Sequence, residues 1–466
     1  MTQPARVVVV GAGIAGLSTA WHVVTQAMRR DRALELTIIE QRPQPGGSTR
    51  TDHVDGYLCE WGPNGFLDNE PATLELVREL GLAERLYRAS DAAASRFIYH
   101  SGQMHEVPLS PPEFLTSDIV PLSTKLRMAM EVFVPSRRED HDETVYEFGQ
   151  RRLGHAFATL LLDPMVSGIF AGDVRELSLR AVFPQMASME RQYGGLFRAL
   201  WAKKWQARRT GESVGGPSGP RGTLHTFRGG MGELTDTLAT RLEAHLRLSA
   251  TVVAVEHHDG GFRVRTDSED LDADAVVLAC PSFAAARIVT GLAPEVAQAL
   301  DDIHHAPVDV ACFGYRHADI RRPLRGFGVL IPRSEGIRSL GTLLSDQIFP
   351  GQAPPHHELM RTIIGGAHDP GITKLSSDDL EATVQRDLQA LFRVTVAPRF
   401  RRLIRHARGI AQYTVGHLDR VAKTEALEAE LPGLFFTGAS YRGVSVNGCA
   451  KDAVQVGRRV WETLDG

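Results

Sequence analysis

Four consecutive valines, Val7 to Val10, run directly into Gly11, Gly13 and Gly16. An apolar β-branched run of this kind reads as a buried parallel strand, and the glycines read as the turn into a helix. The spacing has a chemical reason. Gly11 permits the tight turn, Gly13 lets backbone approach a pyrophosphate, and Gly16 lets the helix pack closely on the strand, so that the helix N-terminus faces phosphate charge. Residues 36–39 form a second apolar strand ending at Glu40, about 20 residues further on, where a carboxylate receives ribose hydroxyls. Together these features point to a dinucleotide. A glycine turn in an unrelated α/β domain would leave the placement of Glu40 to chance.

At 466 residues with 43% hydrophobic content, the chain has material for two or three domains with sizeable cores. A net charge of −4 gives no general reason to expect nucleic-acid binding. Cys59, Cys280, Cys312 and Cys449 lie far apart without a C-x-x-C pair, which argues against a zinc site, a redox dithiol or a disulfide scaffold and for a reducing compartment. The pairs His304-His305 and His356-His357 are sequence neighbours that point to opposite faces, so no metal is expected. The first strand begins within six residues of Met1, leaving no room for a signal peptide, and no apolar run reaches the ~18 residues of a spanning helix. Any membrane contact is therefore expected at the surface.

Along the chain, residues 14–28 have helical apolar spacing, and a polar break at 29–32 precedes the second strand, completing a β-α-β unit. Arg42, Gly46, Gly47 and Thr51 then place a second glycine pair where the chain passes the nucleotide again. This favours a flavin, with an ordinary glycine loop as the alternative. Residues 57–61 read as a short strand, followed by the tight turn Gly62, Pro63, Asn64, Gly65, and then by a helix over 71–80. From Arg96 a hairpin around Gly102 gives way to proline-broken segments and helices over 122–134, 144–153 and 155–162. Residues 191–209 set Leu196, Phe197, Leu200, Trp201 and Trp205 among basic side chains, the composition of an interfacial helix and equally of a solvated basic face. Residues 210–223 are rich in Gly, Pro and Ser, as a flexible connector would be.

A helix is expected over 233–246, a strand pair over 250–255 and 262–266, and an apolar strand over 275–279 that completes the first sheet, with Val252 near the adenine end. Runs at 308–315, 327–331, 340–344 and 360–364 read as a mostly antiparallel sheet, a candidate substrate wall. Residues 377–392 form a helix with a serine at the N-cap. The strand 433–437 leads through Gly438, Ala439 and Ser440 to a final helix over 448–464, another helix N-terminus in the nucleotide layer.

Five stretches carry a family resemblance: the N-terminal fingerprint; Gly46-Gly47; residues 62–67; residues 168–173 with Glu176, Leu177 and Ser178; and residues 439–447. Over essentially its whole length the chain resembles the oxygen-dependent protoporphyrinogen oxidases, within the amine oxidase and phytoene desaturase superfamily. The resemblance implies an α/β protein with a discontinuous Rossmann-like FAD-binding domain (1–90, 225–285, 406–466), an antiparallel-sheet substrate domain (286–405), a helical membrane-associating insertion (91–209) and a connector (210–224). It implies FAD held by Gly11, Gly13, Ile14, Ala15, Gly16, Glu40, Arg42, Gly47, Ser48, Gly62, Pro63, Asn64, Gly65, Val252, Ala439, Val444, Ser445 and Val446. It further implies Arg96 on a substrate propionate, the Gly168 carbonyl facing the tetrapyrrole, and Phe327, Leu330 and Ile363 as apolar pocket wall. Ser48 stands where many relatives carry Arg or Lys, and Gly448 where many carry Asp.

The activity so implied is oxidation of protoporphyrinogen IX to protoporphyrin IX in haem biosynthesis, with hydride passing to the flavin, molecular oxygen as acceptor and hydrogen peroxide released. No side-chain base is obligatory, in keeping with the lack of a catalytic triad or paired carboxylates in the sequence. The implied partners are the porphyrinogen, oxygen, a membrane surface on its cytoplasmic face, a second copy of the chain and a ferrochelatase. Coproporphyrinogen III oxidation on the same fold is the alternative. An amine oxidase, a carotenoid desaturase and a flavin-free prenyl-protein escort stand further off.

Overall fold

The valine run is uninterrupted because both of its faces are buried. Val7 and Val9 enter one core with Leu17, Val23 and Trp461, while Val8 and Val10 enter another with Val255, Phe262 and Ile288. The computed structural model describes residues 3–108, 111–137, 141–210, 222–258 and 260–465. In it Ala5–Val10 is the centre of a five-stranded parallel sheet, in the order Leu246–Leu248, Leu34–Glu40, Ala5–Val10, Ala275–Leu278, Leu434–Phe436. The helix Ile14–Arg30 leaves from the carboxyl edge of that central strand and stops at Asp31, in the left-handed region at φ 51°. The final helix Val446–Asp465 lies against it, with Trp461 Nε1 donating to Val23 O at 2.9 Å. The two ends of the chain thus build one layer.

A second sheet has seven strands, in the order Phe400–Ala411, His305–Arg316, His357–Gly365, Ser339–Leu344, Gly328–Leu330, Phe97–His100, Gln103–Glu106. One face, through Ala311, Phe313 and Tyr315, packs on the helix Ser377–Phe392. That helix is capped by Ser376, whose Oγ accepts the Asp379 N–H at 3.1 Å. The other face meets the nucleotide domain, where Val310, Cys312 and Leu359 pack with Tyr57 and Cys59. All four cysteines are free thiols.

The helices between Pro111 and Thr210 gather around the buried Arg152, which donates to Val134 O at 2.7 Å and Gly194 O at 2.6 Å and lies beside Glu131 and Glu190. The Glu131 carboxylate in turn accepts the N–H groups of Leu196 and Phe197. It thereby caps the exposed helix Leu196–Thr210. No helix among the described residues is long and apolar enough to cross a membrane.

Several expected boundaries move. The hairpin at the head of the segment read as a helical insertion is an edge of the second sheet, because Phe97 and Ile98 pair with Val329 and Leu330. A border at 405/406 would cut the strand Phe400–Ala411, which pairs along its length with His305–Arg316. The helix expected over 233–246 ends at Arg241, and Leu246–Leu248 becomes a strand because Ile38 to Glu40 offer it an unpaired edge. The helix expected over 191–209 is divided at Gly194 (φ 78°) into Pro184–Tyr193 and Leu196–Thr210. Asp270–Ala273, a third strand beside the expected pair, is too acidic to read as one. Most of the connector, residues 211–221, lies outside the described residues, and Leu224 already belongs to the strand Leu224–Phe227.

Candidate functional site

At the carboxyl edge of the parallel sheet the glycines have separable duties. A Cβ on Gly16 would lie 1.9 Å from Gly11 O, so only glycine lets the helix sit this close to the turn. Gly11 itself has φ +105°, beside Ala279 O. Gly13 differs: a Cβ there would meet nothing nearer than Gly47 Cα at 3.9 Å. Its missing side chain leaves open space in front of the helix N-terminus, where Ile14, Ala15 and Gly16 carry backbone N–H groups without intrahelical acceptors. The second glycine pair closes that space from the other side, with Gly13 and Gly46 bridged and the Gly46 N–H donating to Ala12 O at 2.8 Å. This is a cradle of a size and polarity that suit a pyrophosphate.

Glu40 is buried at the lip of the cradle. Its Oε2 accepts the Ala12 N–H and its Oε1 the Arg42 N–H, each at 2.9 Å, so the carboxylate is fixed in place while each oxygen retains a lone pair for a hydroxyl donor. Ser249 and Ala250 donate N–H groups to Arg42 O and Glu40 O. This carries the chain to Val252, which packs with Ile39.

The turn over residues 62–65 forms the opposite wall. A Cβ on Gly62 would fall 2.6 Å from Ser48 O, and one on Gly65 2.5 Å from His225 O. The second sheet holds this turn from behind. Arg361 donates to Glu60 O at 3.1 Å and Gly62 O at 2.6 Å, and His406 Nε2 donates to Trp61 O at 2.9 Å. Both polar ends of Asn64 are sealed from solvent with no partner, a group that awaits a ligand.

The third wall is the loop before the final helix. Tyr413 pins it: its O–H donates to Ala439 O at 2.7 Å and its oxygen accepts the Gly443 N–H at 2.9 Å, while its ring stacks on His417 at 3.9 Å. Ala439 is exposed to the groove. Ser445 Oγ accepts the Gly448 N–H at 3.0 Å and so caps the helix. Val446 is turned into the core and Val444 packs between two cores, so neither valine side chain is free to line the groove. Open cradle, anchored carboxylate and unpartnered Asn64 together fit an FAD-sized dinucleotide.

The residues expected to face substrate lie around the strand Gly328–Leu330 and the two strands beside it. Arg96 lies over the Phe327 ring at 5.3 Å and has no carboxylate partner among the described residues. Its side chain is exposed to the crevice, yet enough protein surrounds the guanidinium to lower its pKa by desolvation. It stays charged at neutral pH. A Cβ on Gly168 would lie 2.5 Å from Leu330 Cδ2, and Ile363 packs with Ala171 and Val308. The helix Asp163–Phe170 ends at Ala171 in the left-handed region, φ 48°, so the Gly168 carbonyl lies in the last turn, where intrahelical donors run out and the helix end is partially negative. A polar cluster fixes this helix to the sheet. Arg333 reaches Asp173 at 3.0 Å and Asp163 at 3.4 Å, and His368 Nδ1 lies 3.4 Å from Asp173.

Arg361, His406, Tyr413 and, apart from Asp173 in the 168–173 stretch, the members of this cluster are absent from the sequence reading. Each of these acts on groups distant in the chain and sits in no local motif. Among the described residues no three His, Cys, Asp or Glu side chains gather as metal ligands.

Glu60 links the site to pH. Its buried carboxyl accepts the Met231 N–H at 2.8 Å and the Thr51 O–H at 2.7 Å, and burial raises its pKa to about 7. Between the usual 4.5 and about 7 the unfolded chain loses this proton while the folded chain keeps it, so this group's stabilisation declines as pH rises through that window. Glu60→Gln abolishes the titration. The variant is expected to gain on the order of 2 kcal/mol relative to the parent between about pH 5 and about pH 8. Urea melts of both proteins at the two pH values check this, and a constant gap between them would contradict it.

Comparison with known proteins adds the following. The model of the family "Flavin containing amine oxidoreductase" matches residues 14–460. The chain is 29% identical over 455 residues to coproporphyrinogen III oxidase of Bacillus subtilis, covering 95% of each. It is 30% identical over 468 residues to protoporphyrinogen oxidase 2 of Arabidopsis thaliana, covering 95% of this chain and 91% of the other. A crystal structure of an Exiguobacterium sp. 255-15 protein superposes with a TM-score of 0.83 at 25% identity, covering 100% of both chains.

Proposed function

Because the chain belongs to the flavin-containing amine oxidoreductases, and so is a flavin oxidoreductase with FAD as its cofactor, we propose that it oxidises protoporphyrinogen IX to protoporphyrin IX with molecular oxygen as acceptor. The observation that carries this reading is Arg96, an unpaired guanidinium on an otherwise apolar wall, which suits a carboxylate attached to a large apolar ring. The FAD would lie along Gly13, Glu40, the 62–65 turn and the Ala439 loop, and when bound it supplies two-electron acceptance. The chain's own part is orientation. Arg96 fixes one propionate; Leu330 and Ile363 exclude water beside the macrocycle; and the Gly168 carbonyl, at a partially negative helix end, receives a pyrrole N–H. Arg361 and Tyr413 keep two walls of the cofactor groove in register.

Coproporphyrinogen III is the second reading, favoured by the similarity to the Bacillus subtilis enzyme. The test is side-by-side initial rates of porphyrin fluorescence on anaerobically prepared protoporphyrinogen and coproporphyrinogen, with and without oxygen. A clearly higher kcat/KM on protoporphyrinogen supports the first reading, the reverse supports the second, and no rate on either removes both.

The proposal extends to the membrane. Leu122, Leu126, Met130 and Phe133 are exposed, and the 130–133 turn packs on the helix that carries Trp201, which is 79% exposed, and the exposed Trp205, with Lys203 and Lys204 on the same helix. Aromatic and basic groups so mixed suit an anionic lipid surface. The double variant Trp201→Ser, Trp205→Ser is expected to bind anionic vesicles at least about tenfold more weakly in sedimentation, with unchanged rates on detergent-dispersed substrate. Undiminished binding would remove this face from the proposal. A second copy of the chain and a ferrochelatase remain the expected protein partners.

A further inference from the structure

Between the strands Ser339–Leu344 and His357–Gly365 and the loop over 317–324 lies a cavity of about 150 Å³. Ile320, Leu324, Leu344, Met360 and Phe392 line it, and among them stands one carboxyl, that of Glu358. Alternate residues of a strand face opposite sides. Glu358 and Met360 therefore point away from the side on which Arg361 holds the flavin turn, and the cavity is separate from the groove described above.

Glu358 is 1% exposed. Its Oε1 accepts the Asp346 N–H at 3.1 Å, whereas Oε2 is sealed from solvent without a partner. The Gln347 amide, which has two N–H donors, hydrogen-bonds this carboxyl as well as donating from Nε2 to Leu324 O at 2.7 Å. The neighbouring charge is another carboxylate, Asp346. An acceptor oxygen left this way in an apolar chamber is costly. Water is a poor remedy, since the space corresponds to about five molecules at ~30 Å³ each, and each buried water needs about three polar partners.

We propose that this chamber binds a small primary amine with a compact apolar body, its ammonium on Glu358 and its carbons against Ile320, Leu324 and Phe392. Burial raises the Glu358 carboxyl to about 7, and an arriving ammonium would draw it into the charged form. His317, exposed and lining the cavity, marks the entry from solvent. The site does not depend on the porphyrinogen reading.

Isothermal titration of the flavin-loaded protein with isopentylamine tests the proposal. Saturable one-site binding is expected, with the flavin spectrum unchanged. Affinity should fall at least about tenfold in Glu358→Gln, and isopentanol, which lacks the charge, should bind the parent at least about tenfold more weakly than the amine. Leu324→Trp, which fills the chamber, should weaken binding comparably. Because glutamine has the shape of the neutral carboxyl, Glu358→Gln should fold and, at about pH 5 where the folded carboxyl keeps its proton, should melt close to the parent. No saturable heat up to about 10 mM amine, equal affinity in the parent and both variants, or binding that perturbs the flavin spectrum would each overturn the site.

Discussion

Arg96→Leu is expected to reduce kcat/KM on a porphyrinogen by about 10- to 100-fold while leaving flavin content and melting temperature near those of the parent. The size follows from the loss of a charge-assisted, bidentate contact in a partly desolvated crevice. Separation of the two effects follows from its surroundings. Arg96 has no carboxylate partner among the described residues, and its ring contact is with Phe327, so its removal leaves no buried anion behind. Arg96→Lys should recover only part of the activity, because an ammonium keeps the charge but not the planar fork. Initial rates over a range of porphyrinogen concentration, with flavin absorbance on the same samples, decide the matter. Parental kcat/KM in the leucine variant would remove Arg96 from substrate recognition.

Gly16→Ala and Gly13→Ala should fail in different ways, although both alter the same fingerprint. A Cβ on Gly16 falls 1.9 Å from Gly11 O and 3.2 Å from Ala279 Cβ. The clash is with backbone, so the helix Ile14–Arg30 must lift from its strand, and the helix Val446–Asp465 packed against it must shift too. A loss of about 3 kcal/mol or more in stability is expected, with little flavin retained. Gly13→Ala meets no protein atom nearer than 3.9 Å, so the apoprotein should melt close to the parent. Its methyl group would stand where the pyrophosphate approaches, and flavin affinity should fall at least about tenfold. Flavin stoichiometry with thermal melts of the apoproteins distinguishes the two, and equal behaviour of both variants would refute this division of labour.

How far local sequence reaches is visible in these same residues. Val7 to Val10, the glycines and Glu40 were legible because strand, turn, helix and carboxylate lie within one continuous stretch, where periodicity and steric freedom act directly. The apolar runs of the second sheet were legible for the same reason, and so was the helix Ser377–Phe392 with its serine cap. Leu246–Leu248 was not, because a three-residue strand has no period of its own and exists only where Ile38 to Glu40 leave an edge open. The hairpin Phe97–Glu106 was recognisable as a hairpin, but its membership of the second sheet rests on pairing with Val329 and Leu330, more than two hundred residues away.

The sequence by itself determined the opening strand, glycine turn and helix of a dinucleotide-type fold and the placement of Glu40 beside them, because those depend on short-range backbone geometry, while FAD and the residues expected to hold it came from the family resemblance. Tertiary structure alone decided what holds them. Arg361 reaches Gly62 across a sequence separation of 299, and Tyr413 joins Ala439 to Gly443. Arg96 meets Phe327 only because an edge hairpin docks on a distant strand. Contacts of this kind depend on which elements the fold brings together, and no local period or spacing records that choice.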